Sequence, residues 1–234
     1  IKKHGYSRHL YEFKDEYTNM PVNVQKDEKK GLYYVQQEKK RLYFRKSTPP
    51  KKIQKYYRAL SMEQDKRSPH HYFDSVKDVT GKVFVDIGCA EGYSSLEIVE
   101  EAKHIYLFEQ DEQWLEAIRA TFEPWQDKVT IIQKYVSDHN SSREQTLDDF
   151  FNNQTDEHLF LKMDIEGAER HALTGCKNLF QNCQKLDFAI CTYHLRDDEE
   201  VISTFLNKHN CAYINQKGFF RHRIRSVVMR GSKR

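Results

Sequence analysis

Between Lys162 and Glu169 the sequence reads Lys-Met-Asp-Ile-Glu-Gly-Ala-Glu, three carboxylates within six residues, and a second apolar run ends in Cys191-Thr192-Tyr193-His194. Carboxylates at 164 and 166 with an imidazole at 194 are groups that move protons. A histidine with its ordinary pKa of ~6.5 exchanges a proton near neutrality. The same three residues also offer the oxygen and nitrogen ligands of a divalent cation. No ligand spacing demands an ion, and no metal site is predicted. Glu169 reads as an acid at a helix N-terminus, where the macrodipole favours it. A strand-capping histidine is the plainer account of His194. A second constellation is Val85-Asp86-Ile87-Gly88-Cys89-Ala90-Glu91-Gly92-Tyr93. Its glycines let backbone approach a ligand and turn into a helix whose N–H groups favour an anion. Glu109 follows Asp86 by 23 residues, near the ~20-residue spacing at which an acid accepts hydrogen bonds from ribose hydroxyls. A turn beginning at Glu109 is the alternative.

Strands must carry these groups. Apolar runs at 83–87, 104–109, 129–132, 159–164 and 186–192 alternate with helical patterns. One helix spans Ser94–Ala102. Asp111 caps another, with Trp114, Leu115, Ile118 and Phe122 on one face. Further helical stretches surround Ala172 and Ile202, and strands at Ala212–Asn215 and Ile224–Met229 complete seven. This alternation predicts an α/β, Rossmann-like, mainly parallel sheet with helices on both faces. Its ligands sit beyond the carboxyl ends of the strands, where Asp86, Glu109, Asp164 and His194 all fall. Residues 1–75 differ in texture: a hairpin is expected from Leu32–Val35 and Arg41–Phe44, then a break at Pro49-Pro50 and a helix through Ile53, Tyr56, Tyr57 and Leu60. They read as an N-terminal extension, a lid or substrate-binding element, ahead of a main domain at 76–234.

Composition narrows the classes. The chain has 234 residues, 31% charged and 13% aromatic, a soluble but not disordered balance. No apolar run approaches the ~20 residues of a membrane span. Five cysteines without a Cys-x-x-Cys pair read as free thiols of a reducing compartment, hence a cytoplasmic location, with disulfide scaffolds and zinc ribbons excluded. The sequence opens at Ile1 rather than Met, which leaves its natural start and any larger polypeptide open. The net charge of +3 conceals +10 over residues 1–70, −14 over 71–216 and +7 over 217–234. Either both ends face an anionic substrate or they form solvated arms.

The glycine turn lacks the middle glycine of G-x-G-x-x-G, and no G-x-x-x-x-G-K-[ST] occurs, so dinucleotide sites and nucleotide triphosphatases are disfavoured. Hydrophobic-Asp-hydrophobic-Gly-x-x-x-Gly instead resembles the first motif of class I S-adenosylmethionine-dependent methyltransferases. Lys162–Glu169 resembles the hallmark of the FkbM family within that class. Phe108-Glu109-Gln110-Asp111 is similar to the family's F-E-P-x, with Gln110 in place of Pro. Thr146-Leu147-Asp148 and the Tyr193-His194 strand ending match further. Ser68-Pro69-His70 and Phe220–Arg225 resemble a bacterial subgroup associated with surface-polysaccharide genes. The likeness covers about residues 65–230.

The resemblance implies S-adenosylmethionine as cofactor, held by Asp86, Gly88, Ala90, Glu91, Gly92, Tyr93, Glu109 and Gln110, with Val136 and Ser137 at the adenine and Asp164 at the methyl. It implies O-methylation of a sugar or glycan hydroxyl, and the cationic ends point to an anionic precursor. His194 is the first choice of base, with Asp164 orienting it, holding the cofactor or binding a metal. Substrate contacts are expected from His70, Tyr72, Glu166, Arg221 and Arg223. RNA or a small metabolite is the rival acceptor. Nucleic acid is disfavoured because Asp164-Ile165-Glu166-Gly167 is not the N/D-P-P-Y ending common in base N-methylation. A non-catalytic cofactor-binding module is the remaining rival. Oligomeric state is not legible.

Overall fold

A computed structural model describes residues 11–152, 155–220 and 223–233. A short helix α1 (Lys14–Thr18) leads into an antiparallel three-stranded sheet, β1 (Val24–Asp27), β2 (Leu32–Gln37) and β3 (Lys40–Tyr43). The expected hairpin is β2–β3, closed by two residues with Glu38 at φ 53°. Helix α2 (Pro50–Glu63) starts with proline at its first turn, where the missing N–H costs nothing.

The main body follows as β4 (Val83–Ile87), α3 (Tyr93–Glu97), β5 (His104–Phe108), α4 (Glu112–Phe122) and β6 (Val129–Ile132). A two-residue parallel pair, β7 (Tyr135–Val136) with β8 (Glu144–Gln145), precedes α5 (Leu147–Phe150). Then come β9 (Leu159–Met163), α6 (Glu169–Thr174), α7 (Lys177–Asn182), β10 (Leu186–Cys191), α8 (Asp198–Lys208), β11 (Ala212–Phe220) and β12 (Arg223–Lys233). The seven-stranded sheet runs β6-β5-β4-β9-β10-β12-β11, parallel except for β12, which pairs antiparallel with both neighbours.

Alternation along the strands divides the core into two layers. Phe84, Ile105, Leu107 and Phe160 face α3, α4 and the N-terminal unit; Val83, Val85, Leu159 and Leu161 face α6, α7 and α8. Leu32, Leu42, Phe44 and Ile53 are fully buried in the first layer. Residues 22–73 therefore share a core with the parallel sheet.

Two predicted elements differ. α3 stops at Glu97 rather than Ala102, because β-branched Ile98 and Val99 turn into the core and the chain continues in turns. β11 and β12 are longer than their apolar centres, carried outward by polar residues that keep the ladder past a bulge at Gln216/Lys217. Pro69 packs on the backbone of Gly218 in that hairpin, where a Cβ would lie 2.3 Å from its Cγ. Gln216 also donates to the Pro69 carbonyl at 3.2 Å. Among the described residues no helix is long and apolar enough to cross a membrane.

Candidate functional site

The strand ends of β4, β5 and β9 open into one cleft of about 860 Å³. At its base β4 and β9 place Asp86 opposite Lys162. The Lys162 ammonium lies 2.8 Å from Asp86 Oδ1 and donates to the Gly88 carbonyl at 2.6 Å. Ser95 donates to the other Asp86 oxygen at 2.6 Å. Burial alone would lower the lysine pKa, but the carboxylates of Asp86 and Asp164 outweigh it and hold it above the ordinary value. Asp86 thus anchors the turn from below.

The turn itself needs its first glycine. Gly88 has φ 78°, and a Cβ there would stand 2.2 Å from the Asp164 carbonyl oxygen. Ala90 takes φ 48° without being glycine, a strained state for a residue with a Cβ. It is fixed by Glu109, whose two oxygens accept from the Ala90 and Asp111 N–H groups at 3.0 and 2.8 Å. Each oxygen retains a lone pair. Gln110 also lines the cleft, and its buried Oε1 has no partner among the described residues. Val136 and Ser137 line the far end.

One wall was not legible in the sequence. Tyr56 of α2 donates to Glu91 Oε2 at 2.9 Å and stacks on Trp114 of α4. The Arg45 guanidinium lies 3.9 Å from the Trp114 ring and 2.9 Å from Asp111. Tyr93 reaches Ser61 of α2. Burial lifts the Glu91 carboxyl to about 7. The N-terminal segment is thus part of the cleft, a contact over more than 30 residues that no local motif announces.

At the other end stands Asp164. It accepts from Tyr72 at 2.7 Å and from Tyr193 at 3.3 Å. Burial would raise its pKa, but Lys162 and then His194 outweigh this and lower it. Asp164 and His194 end adjacent parallel strands, as expected. Their exposures differ, however. The His194 side chain is only 8% exposed and sits against Tyr193, with Nε2 3.4 Å from Asp164 and Nδ1 2.9 Å from Glu169. Burial lowers its pKa, yet Glu169 and the other carboxylates raise it on balance. Glu166 has φ 55° and projects into solvent.

Of the expected substrate residues, Tyr72 and Glu166 line the cleft. His70 is buried behind it, its Nδ1 on the Tyr11 hydroxyl. Arg223 is exposed at the end of the β11–β12 hairpin, and Arg221 lies outside the described residues. Sequence reasoning gave no role to Lys162, Tyr56 or Tyr193; Glu169 does open a helix as expected, and the structure adds that its side chain is fully buried. A lysine inside an otherwise apolar strand was the available signal for the first.

Comparison with known proteins bears on the family and the fold. The model of the methyltransferase FkbM domain matches residues 14–219. The methyltransferase FkbM from Methylobacillus flagellatus KT is similar in structure at 20% identity and a TM-score of 0.50, over 64% of this chain and 43% of that one. The chain thus spans less than half of that protein. The M. jannaschii tRNA m1G37 methyltransferase gives a TM-score of 0.54 at 14% identity, over 86% and 56% of the two chains. Both show the shared Rossmann-like fold. No curated protein matches the sequence. With the family's domain covering most of its length, the chain belongs to the FkbM family of methyltransferases.

Proposed function

We propose that the protein transfers a methyl group from S-adenosylmethionine to a hydroxyl of a sugar or glycan. The observation that carries this reading is the Asp164 carboxylate, held by two tyrosine hydroxyls at the strand end of the cleft. The cleft suits the cofactor: Gly88 lets the turn close against the Asp164 carbonyl, and the buried Gln110 Oε1 has no partner among the described residues. Gly88, Ala90 and Glu91 would hold its amino-acid end, Glu109 its ribose, and Val136 with Ser137 its adenine. When bound it supplies a sulfonium-activated methyl carbon.

The chain's own residues supply the rest. In-line displacement requires the acceptor oxygen to be fixed and relieved of its proton. Asp164, with His194 behind it, assists that deprotonation. Tyr72, Tyr193 and the carboxylates of Glu63 and Glu166 border the same end, a lining of aromatic faces and acceptors suited to a polyhydroxylated ring. Exposed Lys51, Lys52, Lys55 and Arg223 lie outside the cleft and would meet the remainder of an anionic glycan. Arg45 and Tyr56 of the N-terminal segment serve as a wall beside the cofactor.

Incubation with methyl-labelled cofactor and fractionated glycans, lipids and RNA tests the reading. Label is expected in a glycan fraction and lost with Asp164→Asn; label confined to RNA overturns the acceptor class. Calorimetry should detect the cofactor or its demethylated product, and absence of heat with both removes the cofactor assignment.

A further inference from the structure

Glu169 sits at the start of α6 with its side chain fully buried. Its Oε1 accepts from the Ile165 N–H at 2.9 Å, while Oε2 finds no partner among the described residues. The adjacent His194 ring is likewise buried, and neither of its nitrogens completes a well-aligned hydrogen bond. A buried carboxylate oxygen left without a partner costs about 1–3 kcal/mol or more. Charge sharpens the problem. Glu169, Asp164 and Glu166 approach this one ring at 2.9, 3.4 and 3.8 Å. Lys162 is engaged by Asp86 and the Gly88 carbonyl.

We propose that Asp164, Glu169 and His194 form a binding site for a first-row divalent cation, with Glu166 at its rim. Each of the three offers one ligand atom, and these atoms lie within 4.8 Å of one another. Bonds of about 2.0–2.2 Å set ligand atoms about 3 Å apart at neighbouring positions and about 4 Å apart at opposite ones, so small side-chain rotations close the shell. Two carboxylates with an imidazole suit Mn²⁺, Fe²⁺, Co²⁺ or Zn²⁺ better than Mg²⁺. Asp164 follows β9 directly, His194 lies three residues past β10, and Glu169 opens α6. Binding of the ion is independent of the methyl-transfer reading. Its placement beside an acceptor hydroxyl rests on that reading.

The test uses the full chain, stripped with a chelator that is then removed, and titrated with Mn²⁺ at pH 7.5. Loss of the free-ion paramagnetic resonance signal should saturate at one equivalent, and the spin-echo modulation of the bound ion should show an imidazole nitrogen. Glu169→Gln and His194→Gln should each weaken uptake by about 10–100-fold, whereas Glu116→Gln, on the exposed face of α4, should not. No saturable uptake up to millimolar Mn²⁺, no nitrogen coupling, or uptake indifferent to both substitutions overturns the site. If those variants fail to fold, the wild-type titration and its nitrogen coupling decide alone. Calorimetry with S-adenosylmethionine on the same stripped protein separates this result from the cofactor assignment: heat with the cofactor but no ion uptake removes only the cation site.

Discussion

Lys162 and Asp86 face each other across the β4–β9 register, with Nζ 2.8 Å from Oδ1 and both side chains almost fully buried. Lys162→Met leaves the Asp86 charge uncompensated in the core, and should cost about 3–5 kcal/mol of stability. Asp86→Asn added to it should restore a large part. Urea unfolding of the three variants measures both. A single substitution costing under about 1 kcal/mol would show that water, not the lysine, compensates the acid.

Glu91 makes stability depend on pH. Burial lifts its pKa from 4.5 to about 7, so between these values the folded chain keeps a proton that the unfolded chain has released. Stability therefore falls as pH rises through that window, by about 3 kcal/mol at most, and the loss is complete above the folded pKa. Glu91→Gln should flatten this slope. Unfolding curves at pH 5 and 7.5 that decline equally in both proteins would rule the effect out.

Tyr72 donates to the Asp164 carboxylate, which the proposed reaction sets beside the acceptor. A hydrogen bond to a charged group contributes about 1.5–3 kcal/mol, so Tyr72→Phe should lower kcat/KM by about 10–100-fold. Cofactor affinity should be nearly unchanged, since Tyr72 stands at the Asp164 end of the cleft. An unaltered kcat/KM would detach Tyr72 from the reaction.

If the basic residues outside the cleft meet an anionic acceptor, raised salt should increase KM, because exposed charges are screened beyond about 8–10 Å. Cofactor affinity should respond less. A KM constant from low to high ionic strength would leave the lysines of α2 and Arg223 as solvated charge.

The sequence was most legible where one strand carries its own apolar run. Val83–Ile87, Val129–Ile132 and the ends of the other parallel strands follow from hydrophobic patterning, and Asp111 caps α4 through the Gln113 N–H as its type suggests. β1 was hidden because Val-Gln-Lys-Asp has one apolar residue, and its pairing comes from β2. In the site, Asp164 and Glu109 were accessible because strand ends face ligands in any open parallel sheet. Tyr56, Arg45 and Trp114 were not, because they converge through folding of segments that share no motif. Glu169 was placed at a helix start, where it stands, but its burial against His194 is a tertiary contact that no local pattern announces.

The seating of Pro69 against Gly218 has a mechanical meaning. Only two residues separate Pro69 from Tyr72, so a short stretch of chain joins the last hairpin to the phenol touching Asp164. Removal of the last hairpin would therefore take away the contacts that seat Pro69, and with them a support of the Tyr72–Asp164 pair, without removing any residue of the cleft.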